Sequence, residues 1–219
     1  MRWPTVTWAV AWREIRGELR GRELVPSLGQ FIVLALVIAN FAFAPDLSRA
    51  RDLGPGVLWM VLVFVGLVAF SRAFAGERER GSLEAMLLTP ASHSAILAGK
   101  TLASALVLTV CELVLLPALA VFLGAPLTPI AFLTVFLAII GMSALGALFA
   151  ALASQTRARE LLLPVLALPL WIPFVVMGSG IVRASLDGVF ELQGTVALCY
   201  MDILFLLVAA VAAKFVLDD

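Results

Sequence analysis

The residues of this chain with chemical potential are few, and most of them fall inside long apolar runs. One string imitates a phosphate-binding loop, Ala98-Gly99-Lys100-Thr101. Such a loop needs a further glycine five positions before Gly99, where Ser94 stands, and a strand ahead of it, so no nucleotide site is read here. Lys100 is instead expected to close the end of a membrane span and snorkel to the headgroups. The single histidine, His93, lies in a loop. Cys111 and Cys199 sit in separate apolar blocks and read as small buried hydrophobes, not as a disulfide. Two carboxylates, Glu112 and Asp202, interrupt apolar blocks. A charge at mid-bilayer costs at least about 2.5–3.5 kcal/mol, so both must face protein or water. Each is either a protonated or hydrogen-bonded clamp between helices or part of a polar path or subunit interface. No catalytic constellation and no metal set emerges, so no enzyme is read.

The elements that position these residues are membrane helices. Of 219 residues 63% are hydrophobic and 14% charged, with mean hydropathy +1.08, far from the balance of a soluble domain. A bilayer core of about 30 Å takes about 20 apolar helical residues. Lipid offers no partners to free backbone groups, so a span is a helix or part of a closed barrel, and continuous rather than alternating runs exclude the barrel. Six spans are read: Pro26–Ala44, Pro55–Phe74, Ile96–Leu123, Leu127–Ala153, Leu161–Val182 and Thr195–Val216. Connections are short and no linker or repeat is visible, which gives one domain over 1–219. It divides into an N-terminal segment (1–25), the six-helix part (26–217) and a long loop (72–95). With the N-terminus inside, twelve of the lysines and arginines fall on the cytoplasmic side and only Arg49, Arg51 and Arg183 on the other. That asymmetry places both termini in the cytoplasm. The formal net charge is zero and no nucleic-acid partner is expected.

Ahead of the first span, Trp8, Trp12, Ile15 and Leu19 recur at helical spacing with Arg13, Arg16 and Arg20 alongside. Five arginines and three glutamates before Pro26, with no apolar core, exclude a cleaved leader. The stripe suits a helix lying in the lipid interface, the alternative being a helix packed on protein. Pro26 is expected to end that helix. In the fifth span Pro164, Pro169 and Pro173 each remove a backbone donor, so this helix is expected to be kinked or locally opened. In the fourth, Ser143, Ala147 and Ala151, with Gly146 and Ala150 beside them, permit close helix approach.

The loop after the second span holds the most information. Alternating charges through Glu77 and Glu79 lead to Gly81, which permits a sharp turn; Ser82 is a good N-cap, and Glu84 complements the helix dipole. Leu83, Met86 and Leu87 share one face before Pro90 stops the helix. This is a short amphipathic helix at the membrane surface, suited to a groove on a cytosolic partner; a re-entry helix with no partner is the plainer alternative. The string Glu-x-Glu-x-Gly-Ser-Leu-Glu-x-x-Leu-Leu-x-Pro, Glu77 to Pro90, resembles the coupling loop of ABC-2-type permeases. Two more strings narrow the likeness: Pro55-Gly56-Val57-Leu58-Trp59, and Leu161-Leu162-Leu163-Pro164 through Leu168-Pro169-Leu170-Trp171-Ile172-Pro173. With the length and six-span plan they resemble the cytochrome c maturation (haem exporter) protein B family over nearly the whole chain.

The resemblance implies an all-α permease in the bacterial inner membrane, driven by a separate cytosolic ABC ATPase that binds the ATP. It implies partner membrane subunits of cytochrome c maturation and a periplasmic haem chaperone, with haem as cargo and no cofactor resident in this chain. The implied contact with the ATPase is Glu77, Glu79, Gly81, Ser82, Leu83, Glu84, Met86 and Leu87. Axial haem ligands are usually His, Cys, Met or Tyr. His93 is on the cytoplasmic side, and Met142, Met177 and Met201 read as packing, so a durable haem site belongs to a partner. An ABC-2 permease exporting a lipid, glycan or drug, and a non-transporting membrane scaffold, are the competing readings. The topology is testable on a background lacking Cys111 and Cys199. A cysteine at Arg51 or Gly188 is expected to react with an impermeant periplasmic reagent and one at Arg78 is not; labelling at Arg78 in intact cells would refute the assignment.

Overall fold

The computed structural model describes residues 3–21, 23–43, 47–73, 92–154 and 159–216. Those residues form seven α-helices and no strand: α1 (Trp3–Gly21), α2 (Leu24–Phe43), α3 (Leu47–Ala73), α4 (His93–Leu123), α5 (Pro129–Ser154), α6 (Arg159–Leu186) and α7 (Leu192–Val216). Six of them, α2 to α7, contain stretches long and apolar enough to cross a membrane, so the protein is a multi-pass membrane protein. The sequence-read spans match these helices to within a few residues, save that α3 begins eight residues ahead of Pro55.

Helix ends are built from local chemistry. Pro26 does not end α1; the break falls at Gly21–Glu23, and Pro26 sits in the first turn of α2, where its missing N–H is no loss. The exposed donors of that turn are met from α1: Leu24 N–H and Val25 N–H both donate to Glu18 Oε1 at 2.9 Å. Ser27 N–H then opens the ladder on the Glu23 carbonyl. At the far end of α2, the Asn40 amide donates to the Phe122 carbonyl, one of the unpaired acceptors in the last turn of α4. The α5 helix starts on Thr128, whose Oγ1 accepts from Ala131 N–H at 3.1 Å, with Pro129 in the first helical position. At the end of α6, Gly188 has φ 74°; Val189 N–H reaches back to the Ala184 carbonyl and Gly188 N–H to that of Ser185, which closes the helix in a Schellman turn.

The bundle is organised around α3 and α5, the most enclosed spans, while α2, α6 and α7 present broad apolar faces outward. Between membrane helices the hydrophobic effect gives little, so packing fit decides the arrangement. Here the fit is between large rings and glycines. Trp59 of α3 and Trp171 of α6 are both fully buried. A Cβ at Gly178 of α6 would overlap the Trp59 indole, and one at Gly66 of α3 would lie 3.2 Å from the Trp171 ring. The two contacts are reciprocal and one heptad apart on each antiparallel helix. Phe70 of α3 fills the space left at Gly146 of α5, and Phe174 of α6 the space at Gly141. Phe70 and Trp171 touch with ring centroids 5.8 Å apart, Phe174 and Phe205 of α7 at 5.5 Å. The small-residue patch read in α5 is buried throughout, and Gly146 within it admits the Phe70 ring.

Trp59→Ala is expected to destabilise the purified protein by about 3–5 kcal/mol and Gly178→Leu by about 1–3 kcal/mol or more. In the double variant the leucine occupies the vacated indole site, so the losses fall short of additive. Thermal unfolding in detergent measures this; strictly additive losses would contradict the ring-to-glycine fit.

Candidate functional site

The two intramembrane carboxyls are where the sequence places them, inside the bundle. Glu112 of α4 is 2% exposed and Asp202 of α7 is 5% exposed. Asp202 lies against α5 at Gly141, where a side chain would meet its Oδ1 and the Phe174 ring, so the glycine creates the space the carboxyl occupies. Its Oδ1 has no hydrogen-bond partner among the described residues, nor has Ser143 Oγ or either buried indole N–H, of Trp59 and Trp171. No hydrogen bond joins these four groups, and Glu112 and Asp202 stand on different helices. The fifth span is not opened. The α6 helix runs unbroken from Arg159 to Leu186 through Pro164, Pro169 and Pro173, because the four- and five-residue spacing leaves ladder donors between the prolines. What the prolines remove is the regular partner of the Glu160, Val165 and Pro169 carbonyls.

The residues read as the contact with an ATPase, Glu77, Glu79, Gly81, Ser82, Leu83, Glu84, Met86 and Leu87, lie outside the described residues. The structure does describe what flanks them: α3 ends at Ala73, and α4 begins at His93 after Ser92 in extended conformation. The first two turns of α4 are gripped by α1. Trp3 Nε1 donates to Ser94 Oγ at 3.3 Å, and Thr7 Oγ1 to the Ala95 carbonyl at 3.3 Å. Gly99 allows the closest approach, since a Cβ there would press on the Thr7 carbonyl and on Val10. One residue on, Lys100 Nζ meets Glu14 Oε1 at 3.4 Å.

Lys100 therefore does not snorkel. It is 1% exposed, covered by α1, and Glu14 brings a carboxylate to it that the headgroup layer would otherwise supply. Glu14 and Glu18 hold the α1 junction in a way that the apolar stripe concealed. They share a second face of α1 with Trp3, Thr7, Val10 and Ala11, and that face packs on α4 while Trp8, Trp12 and Leu19 stay exposed. The face toward α4 is packed on protein, as the second reading has it, while the face with Trp8, Trp12 and Leu19 is exposed. Spacing of three and four through Trp3, Thr7, Val10, Glu14 and Glu18 is the signal that finds the second face.

Glu14→Gln removes the carboxylate from a buried ammonium and is expected to cost roughly 1.5–3 kcal/mol, less than a fully dry pair because Glu14 keeps contact with solvent. Glu14→Leu with Lys100→Met is expected to recover most of that loss. Unfolding midpoints of the purified chain test both; a double variant no better than Glu14→Gln would show that the pair does not hold α1.

Comparison with known proteins covers the same residues. The family model described as CcmB protein matches residues 5–218. The chain is 34% identical to the Heme exporter protein B of Pseudomonas aeruginosa over 161 residues, 72% of each chain. It is 30% identical to that of Bradyrhizobium diazoefficiens over 206 residues, 92% of each, and 30% identical to that of Rhodobacter capsulatus over 161 residues, 72% of this chain and 73% of the relative. A match from the first turn of α1 to beyond the end of α7, carried by relatives of the same length, means that this chain belongs to the CcmB protein family.

Proposed function

We propose that the chain is the membrane permease subunit of an ABC-type haem exporter complex acting in cytochrome c biogenesis. The observation that carries this is the family match over residues 5–218, with relatives named Heme exporter protein B, on a chain with six apolar spans. In this reading the protein sits in the inner membrane of a bacterium with both termini inside. ATP is hydrolysed by a separate cytosolic subunit, and the cycle drives haem export or releases a haem-loaded periplasmic chaperone from the membrane subunits.

The energy enters at the loop between α3 and α4. The string Leu83, Met86 and Leu87, flanked by Glu77, Glu79 and Glu84, offers apolar anchors with an acidic rim, the arrangement in which anchors supply affinity and charges supply orientation. The clamp of α1 on the first turns of α4 supports the same assignment, because a push on this loop meets a braced helix. Leu83→Asp or Met86→Asp is expected to abolish co-purification of the ATPase while the permease stays inserted and abundant. Glu84→Ala weakens it by roughly 1 kcal/mol. Wild-type recovery of the ATPase with both aspartate variants, and intact cytochrome c maturation, would overturn the coupling role.

A further inference from the structure

The outer face of α1 carries a stacked column that no contact among the described residues explains. The Trp8 and Trp12 rings lie 6.3 Å apart with planes 11° from parallel, and the Arg16 guanidinium lies 5.0 Å from the Trp12 ring centre. Arg20 continues the row one turn on. Trp8 and Trp12 are 58% and 41% exposed, so the column faces away from the bundle. Arg13 is tied to Glu14 at 2.9 Å, whereas Arg16 and Arg20 are exposed and meet no acceptor among the described residues.

The depth of this face is set by α4. Its 31 residues make a helix of about 46 Å, longer than a hydrocarbon core of about 30 Å. Counting back from Leu123, the core is filled by the residues after about Ala103. The stretch His93–Lys100, which α1 grips, therefore stands at the level of the headgroups. Indoles favour that level, with the ring in the acyl boundary and the polar edge in the headgroups. A guanidinium stacked over an indole still presents its in-plane N–H donors outward, in the fork that takes a phosphodiester through two parallel bonds.

We propose that α1 is a binding surface for anionic phospholipid, with Arg16 and Arg20 taking the headgroup phosphates and Trp8, Trp12 and Leu19 covering the adjoining acyl boundary. The charge argues for a lipid of net negative charge. A zwitterionic headgroup carries its own cation beside the phosphate, whereas an anionic one leaves the phosphate for the two unpaired arginines. The other face of α1 makes this binding matter to the bundle. Through Thr7, Gly99 and the Glu14–Lys100 pair, a helix held by lipid is also held to α4, and through Glu18 to the start of α2. Headgroup binding thus steadies the start of both spans. The inference does not rest on haem export; it requires only that α1 lies at the lipid surface.

The test uses the full chain in a neutral detergent and reads its thermal unfolding midpoint as phosphatidylglycerol or phosphatidylcholine is added at equal mole ratio. Phosphatidylglycerol is expected to raise the midpoint by several degrees and phosphatidylcholine by less than half as much, with the difference shrinking at 0.5 M salt. The double variant Arg16→Gln/Arg20→Gln unfolds like the wild type in detergent alone and loses most of the phosphatidylglycerol increment; Trp12→Leu loses part of it. Arg183→Gln, at the other end of the bundle, keeps it. Equal response to both lipids, full retention by the double variant, or equal loss in Arg183→Gln overturns the proposal. So does reproduction of the shift by inorganic phosphate alone. If neither lipid shifts the midpoint and the double variant instead loses a co-purifying protein, the column belongs to a protein partner and the lipid assignment fails.

Discussion

Lipid removes the force that assembles most proteins. Two apolar helices gain little by leaving lipid for each other, so the arrangement of α2 to α7 depends on shape, and the shape that decides it is a large ring entering the space over a glycine. Trp59 at Gly178 and Trp171 at Gly66 fix α3 against α6 at two points, Phe70 at Gly146 ties α3 to α5, and Phe174 at Gly141 ties α6 to α5. A methyl group at Gly178, Gly146 or Gly141 would clash with the ring seated there, and one at Gly66 would press tightly on Trp171, which favours a single register. The same Gly141 leaves room for Asp202, so the placing of this buried carboxyl depends on the glycine that seats a ring beside it.

Polar groups are sorted by depth. Those at the α1 end are satisfied by short-range chemistry: Glu14 on Lys100, Glu18 on the first donors of α2, Thr7 on the Ala95 carbonyl. Inside the bundle Thr109 and Thr134 donate to carbonyls one turn back, whereas Asp202 Oδ1, Ser143 Oγ and two indole N–H groups find no partner among the described residues. Each such group carries a desolvation penalty unless something else reaches it. The α1 end is thus a rigid polar junction, and the interior is a packed apolar mass with a few unsatisfied positions.

Much of this was legible in the sequence. Six apolar runs of the length of a bilayer, broken by Gly, Pro and charge, give the spans, because lipid leaves the chain no other solution. The exposed face of α1 was legible from the spacing of Trp8, Trp12, Ile15 and Leu19. Its buried face was not, since Glu14 and Glu18 look like surface charges until Gly99 brings α4 against them. Lys100 was misread for the same reason: snorkelling is the rule for a lysine at a span end, and a contact between residues 86 positions apart overrides it. The strings Pro55 to Trp59 and Leu161 to Pro173 marked the family before any role for them was visible. Their tryptophans prove to be the two halves of the α3–α6 fit, so what reads as a signature is at least in part a packing requirement. The prolines were expected to kink α6 or open it locally; α6 is continuous from Arg159 to Leu186, because ladder donors remain between the prolines.

The reciprocal fit of α3 and α6 also sets an order of events during synthesis. Gly178 follows Trp59 by 119 residues, so at roughly 5–20 residues per second the ribosome needs several seconds or more to deliver the helix that Trp59 is shaped for. Over that interval α3 lies in the bilayer with a bare indole on one side, and α2, already made, and then α4 are its available neighbours. Gly146 arrives before Gly178 and can receive Phe70 first. The nascent chain therefore has a three-helix stage, then a stage with α5 seated on α3, and closes only when α6 brings Gly178 to Trp59 and Trp171 to Gly66. Whatever insertion machinery holds the early helices must keep Trp59 accessible to a latecomer, and a partner helix that filled its place first would trap the chain half assembled.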